Sequence, residues 1–152
     1  MAQGFVSVLN SRELLATVYA IKAAPAAIRA DLRQQTRAVI GKEWQRALHG
    51  QPASVQQTRM LVATARVKVS DQSVALQSAN SKRKALSGGL TPFDAGKAFE
   101  FGAGRRQGRR FPPPRSSGYV VYPAFADVAP RALALWVQTT VRVIADGLDG
   151  KS

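Results

Sequence analysis

Between Gly102 and Gly118 the chain runs Gly-Ala-Gly-Arg-Arg-Gln-Gly-Arg-Arg-Phe-Pro-Pro-Pro-Arg-Ser-Ser-Gly. No other stretch limits the fold so strongly. Glycine and proline interrupt both helix and strand, and guanidinium groups demand water or an anionic partner, so this segment cannot supply a core. Whatever folds must do so on either side of it and carry it outside as a loop.

The flanks hold enough apolar sequence for one domain spanning residues 1–152, a length that buries roughly two thirds of its unfolded surface. Asn10 followed by Glu13 has the spacing of a capping box, and Leu14, Leu15, Val18 and Ile21 share a face, predicting a helix that ends near Ala23. Pro25 suits the first turn of a second and longer helix, with Ile28, Leu32, Val39, Ile40, Trp44 and Leu48 as its stripe. Gly50, as a left-handed cap, and Pro52 should stop it.

From Met60 the period changes. Ala65, Val67 and Val69 alternate with Thr64, Arg66 and Lys68, and Val74 with Leu76 resumes after Ser70-Asp71-Gln72-Ser73, predicting an antiparallel hairpin with Arg66 and Lys68 on its open face. Residues 78–90 are polar and basic, with Lys82-Arg83-Lys84 at their centre, and read as a first flexible loop; residues 102–118 are the second. Between the loops, Phe99 and Phe101 alternate about Glu100, predicting a short third strand. Tyr119 to Tyr122 predict a last strand. A C-terminal helix then follows, capped by Asp127, with Pro130 in its first turn, a stripe of Leu133, Val137, Val141, Ile144 and Leu148, and Trp136 on a flank. The predicted class is α+β: N-terminal helices including one long one, a small antiparallel sheet, a C-terminal helix on the sheet, and long basic loops.

Chemistry is harder to find than architecture. There is no cysteine, so disulfides, thiolate metal sites and cysteine nucleophiles are excluded. His49, the only histidine, lacks companion ligands and an orienting carboxylate and reads as a helix-end residue. Gly102, Gly104 and Gly108 miss the spacing of the dinucleotide fingerprint, and no Walker loop follows. With no catalytic constellation in view, the expectation is a protein that is not an enzyme and takes no cofactor or metal. No run approaches the roughly twenty apolar residues of a membrane span, and the N-terminus lacks a signal-peptide pattern, so synthesis in the cytoplasm and no membrane partner are expected.

Charge points to partners instead. The 22 Lys and Arg against 9 Asp and Glu leave +13. Lys82, Arg83, Lys84, Arg105, Arg106, Arg109, Arg110 and Arg115 concentrate that excess in the two loops. Such loops can neutralise phosphates, with Phe111 free to stack on a base, or pair with carboxylates on neighbouring subunits while Pro112 to Pro114 stiffen the segment. No base-reading motif accompanies them.

The order of elements, together with Ala98-Phe99-Glu100-Phe101-Gly102 and Pro123-Ala124-Phe125, resembles the neck or tail-completion proteins of long-tailed bacteriophages. In that family an Ala-x-x-Glu-Phe-Gly type motif ends a strand and a Pro-Ala-Phe type motif starts the last helix. Here Glu100 follows Ala98 by two residues, and the loop between the motifs is longer and more basic. The resemblance implies a virion protein at the head-to-tail junction, made in the host cytoplasm and assembled as a homo-oligomeric ring of six or twelve copies around the DNA channel. Its neighbours would be connector, stopper or tail-terminator and tail-tube proteins, with the packaged DNA a further contact. Glu100, Phe101, Gly102, Pro123 and Phe125 would be the motif residues, and the basic loops would reach adjacent rings or DNA. The alternative is a basic protein that binds nucleic acid without sequence preference.

Overall fold

A computed structural model describes residues 2–6, 12–84, 88–104 and 111–149. In chain order its elements are β1 (Ala2–Val6), α1 (Arg12–Ala23), α2 (Ala26–His49), α3 (Val55–Gln57), a π-helical turn (Thr58–Val62), β2 (Arg66–Val69), β3 (Val74–Ser78), α4 (Pro92–Phe101) and α5 (Val121–Leu148). The class is α+β, mostly helical. Asn10 of the expected capping box lies outside the described residues.

The hairpin forms where alternation placed it, with Arg66 opposite Gln77 and Val69 opposite Val74. Its sheet has three strands in the order β1-β3-β2, because β1 pairs antiparallel with β3 from Ala2 opposite Ser78 to Val6 opposite Val74. That pairing makes β3 central, and Val74, Ala75, Leu76 and Ser78 are all buried. Arg66 and Lys68 are exposed on edge strand β2, where charge also discourages pairing with another chain.

Helices α2 and α5 lie along one another, α2 also meeting β2 and α5 meeting β1. Trp44 and Trp136 are the largest buried side chains of this core. Trp44 also ties α2 to the sheet, its indole N–H donating to the Gln77 carbonyl at 3.2 Å. Asp71, in the hairpin turn, accepts from Arg33 at 2.8 Å and lies 3.6 Å from Arg29, fastening the turn to α2.

Several expectations are corrected. Phe99 to Phe101 form the end of a helix, not a strand: Thr91 caps it, its hydroxyl oxygen accepting from the Asp94 N–H at 3.2 Å, and Pro92 takes the first position. Three alternating residues are too few to separate the two periods. Tyr119 to Tyr122 are likewise no strand, since α5 begins at Val121. Asp127 and Pro130 therefore lie inside that helix. Pro130 is tolerated because it is exposed, as is Ala126, whose carbonyl loses its helical donor and can turn to water.

The stripe on α5 is rotated too. Val121, Ala124, Val128, Ala132, Trp136, Thr139, Thr140 and Val143 are buried, so Trp136 is central and not on a flank. Val141 and Leu148 are 64% and 77% exposed. Gly50 ends α2 with φ −73°, a right-handed and not a left-handed cap, and Pro25 precedes α2 by one residue. The segment Val55 to Val62 was not expected to be helical at all. Its capping box, with the Gln57 N–H donating to Ser54 Oγ at 3.1 Å and the Ser54 N–H to Gln57 Oε1 at 3.0 Å, has Gln where Glu is the more familiar sign.

Thr36 is fully buried on α2 and its hydroxyl has no hydrogen-bond partner among the described residues. Thr36→Val removes the orphan group with little change of shape. It is expected to raise stability by about 1 kcal/mol, seen as a melting temperature roughly 2–4 °C higher. An unchanged or lower melting point would mean the hydroxyl is satisfied.

Candidate functional site

The stretch from Thr91 to Phe125 is organised around one carboxylate. Glu100 sits at the end of α4 and is fully buried. Its Oε2 accepts from the backbone N–H groups of Val120 at 3.1 Å and Val121 at 2.9 Å, and Oε1 accepts from Tyr122 N–H at 2.9 Å. These are donors that a helix start leaves without partners, and the positive end of the helix dipole favours an anion there. A side chain 21 residues upstream of Val121 thus does what a local cap usually does.

The main chain repeats the connection. Tyr119 N–H donates to the Glu100 carbonyl at 2.9 Å, Arg115 N–H to the Phe101 carbonyl at 2.7 Å, and Ala103 N–H to the Pro112 carbonyl at 3.0 Å. The Tyr119 hydroxyl donates to the Pro113 carbonyl at 2.6 Å. Phe111 packs edge-on to Phe99 with ring centroids 5.0 Å apart, and Phe101 lies against Tyr122 at 5.1 Å. Both ends of the Gly102–Gly118 loop are therefore pinned to the base that α4 and α5 form. Phe111 uses its ring in this clasp, which corrects the expectation that it is free to stack on a base.

Two glycines make the closure possible. Gly102 has φ +78° and ψ 172°, a region almost reserved for glycine, and a Cβ there would overlap the Pro113 carbonyl. Gly118 has φ +80°, and a Cβ would collide with Glu100 Oε1. Gln57 adds an outer brace, its amide N–H₂ donating to the Phe99 carbonyl at 3.0 Å.

Of the expected contact residues, Arg115 is exposed beside the clasp, its guanidinium 5.2 Å from the Tyr119 ring centroid. Lys82, Arg83 and Lys84 are also exposed, and the Lys82 ammonium lies 5.0 Å from the Phe93 ring centroid. Arg105, Arg106, Arg109 and Arg110 lie outside the described residues. Lys82 thus stands at the first turn of α4 and Arg115 is bonded to its last residue; ten residues of helix, roughly 15 Å, separate the two basic loops. Among the motif residues, Glu100 and Phe101 meet the start of α5 directly and Gly102 lies against Pro112 and Pro113, while Pro123 and Phe125 are half-buried within the first turns of α5.

Sequence reasoning missed Gly118, Gln57 and the helix start at Val121. A buried acid beside two glycines was the available signal, but its donors are backbone groups that no residue type announces. Chemically the arrangement is a scaffold, and no group of three or more His, Cys, Asp or Glu side chains is placed to hold a metal among the described residues. No described helix is long and apolar enough to cross a membrane. Comparison with family models, with characterised proteins and with solved structures yields no match to this chain.

Proposed function

We propose that this protein is a structural subunit of a bacteriophage head-to-tail connector, a homo-oligomeric ring of the neck or tail-completion type without catalytic activity. The observation that carries the reading is the Glu100 clasp. Ala98–Gly102, the first stretch on which the resemblance rests, carries the buried carboxylate that caps α5 at Val120, Val121 and Tyr122, directly before the second stretch, Pro123–Phe125, and the described ends of the basic loop between them are bonded to this base. A ring subunit needs such an arm, positioned by the scaffold, to meet its neighbours or the DNA within the ring.

Unspent apolar surface supports the same reading. Leu15 and Tyr19 on α1 are 42% and 69% exposed, and Val141 and Leu148 on α5 are exposed as well. Leu15 and Tyr19 are four residues apart, and Val141 and Leu148 seven, so each pair lies on one helix face. Helices α1 and α5 also touch. Faces of this kind suit burial on assembly.

Two experiments test the proposal. Antibody against this protein should label phage particles from its source at the head-to-tail junction in electron micrographs; label absent from intact and disrupted particles alike would overturn the assignment. Replacing Arg105, Arg106, Arg109 and Arg110 together by Ala should leave folding intact and lower the yield of joined heads and tails at least tenfold. Normal assembly of that variant would remove the loop as the contact.

A further inference from the structure

We infer that the protein has a second basic surface, remote in sequence from the arginine loop, and that it is a groove for the sugar–phosphate backbone of duplex DNA. The groove runs between α2 and the start of β2 and has a volume of about 650 Å³. Arg37, Lys42 and Arg66 line it, and no acidic side chain does. Arg66 also lines a second depression of about 320 Å³, together with Arg83 and again without an acid.

The ion pairs of α2 make this arrangement selective. That helix carries five cations besides its terminal histidine. Arg29 and Arg33 pair with Asp71, and Arg46 with Glu43. Arg37 and Lys42, the two that face the groove, have no carboxylate partner among the described residues. The same is true of Arg66 and Arg83. All four are exposed, so their charge is available to an incoming anion.

The floor supplies an independent sign. Gly41 lies in the interior of α2, where glycine costs about 1 kcal/mol relative to alanine, yet a Cβ built there meets nothing within 4 Å. Packing does not require this glycine. Close approach of a ligand to the helix backbone does give it a purpose. Ala38, one turn earlier, keeps the floor shallow.

The occupant follows from what lines the trough. A peptide with acidic residues would compete for the same cations, and the comparison with polyglutamate below separates it from DNA. Stacked single strands need exposed aromatic rings, whereas Trp44, the aromatic residue in the lining, is only 1% exposed. The four unpaired cations favour phosphates over stacked bases, and such contact is independent of base sequence. The inference concerns the isolated chain and stands apart from the connector assignment, which particle labelling tests.

The experiment is fluorescence anisotropy with a labelled duplex of mixed sequence at several salt concentrations. The variant Arg37→Ala/Lys42→Ala/Arg66→Ala should reduce the log–log salt slope by about 0.9 for each phosphate contact removed. Arg12→Ala/Lys22→Ala/Arg46→Ala removes the same charge from exposed positions outside the groove and should leave the slope nearly unchanged. Gly41→Glu, expected to fold at least as stably by thermal melting, should weaken binding tenfold or more by placing a carboxylate on the floor. Equal losses in both triple variants would overturn the groove, since charge alone would then account for binding. So would full binding by Gly41→Glu, or a greater loss of polyglutamate binding than of DNA binding in the groove variant.

Discussion

Glu100→Ala is expected to destabilise the protein by about 4 kcal/mol, because it strands two buried backbone donors and a third that is part-buried, and removes the anion at the start of α5. At roughly 2–4 °C per kcal/mol for a chain of this size, the melting temperature should fall by about 10 °C. Glu100→Gln keeps the volume and one acceptor, but turns an amide N–H₂ toward a backbone N–H, so about half the loss should remain. Thermal melting followed by circular dichroism measures both. A carboxylate that merely filled space would give a near-normal Glu100→Gln, and that result would discard the capping role. Exposed Asp94 is the comparison: it bonds only within the first turn of α4, and Asp94→Asn should cost less than about 1 kcal/mol.

Gly102→Ala is expected to open the clasp. Both the positive φ and the approach of the Pro112 and Pro113 carbonyls oppose a Cβ, and those atoms are backbone, which cannot rotate aside as a side chain would. The loss should be about 3 kcal/mol. It should also be local, because Arg115 hydrogen-bonds through its backbone to Phe101, the residue next to Gly102. Trypsin should therefore cleave after Arg115 several-fold faster in Gly102→Ala than in the parent protein at a temperature where both are folded. Gly104→Ala is the control, since a Cβ there meets nothing within 4 Å. Equal cleavage in all three proteins would show that Gly102 does not hold the loop base.

These two variants bear on the connector proposal through its geometry. A loop without a fixed base can still carry charge, but it no longer presents that charge in one direction. Gly102→Ala should therefore impair assembly while keeping every arginine, which separates the position of the loop from its composition. The groove beside Gly41 would remain intact in that variant, so the two basic surfaces can be examined one at a time.

The sequence alone determined what depends on local repetition and on composition. Helical spacing in α2, with Leu32, Ile40, Trp44 and Leu48 buried, and alternation along β2, with Arg66 and Lys68 exposed, are each properties of a short window, whereas Leu15 of the expected α1 stripe is exposed and Phe111 of the Gly/Pro/Arg segment packs on Phe99. The tertiary structure alone decided where distant segments satisfy one another. Helix α5 starts at Val121 because Glu100 accepts its first N–H groups, and that carboxylate reaches the helix only after the intervening loop has closed on itself. The same reason turned the alternation at Phe99 to Phe101 into a helix end and made β1 the third strand. It also moved the buried stripe of α5 from Val141 and Leu148 to Trp136 and its neighbours, because a helix with apolar residues on two faces buries whichever one the rest of the fold meets.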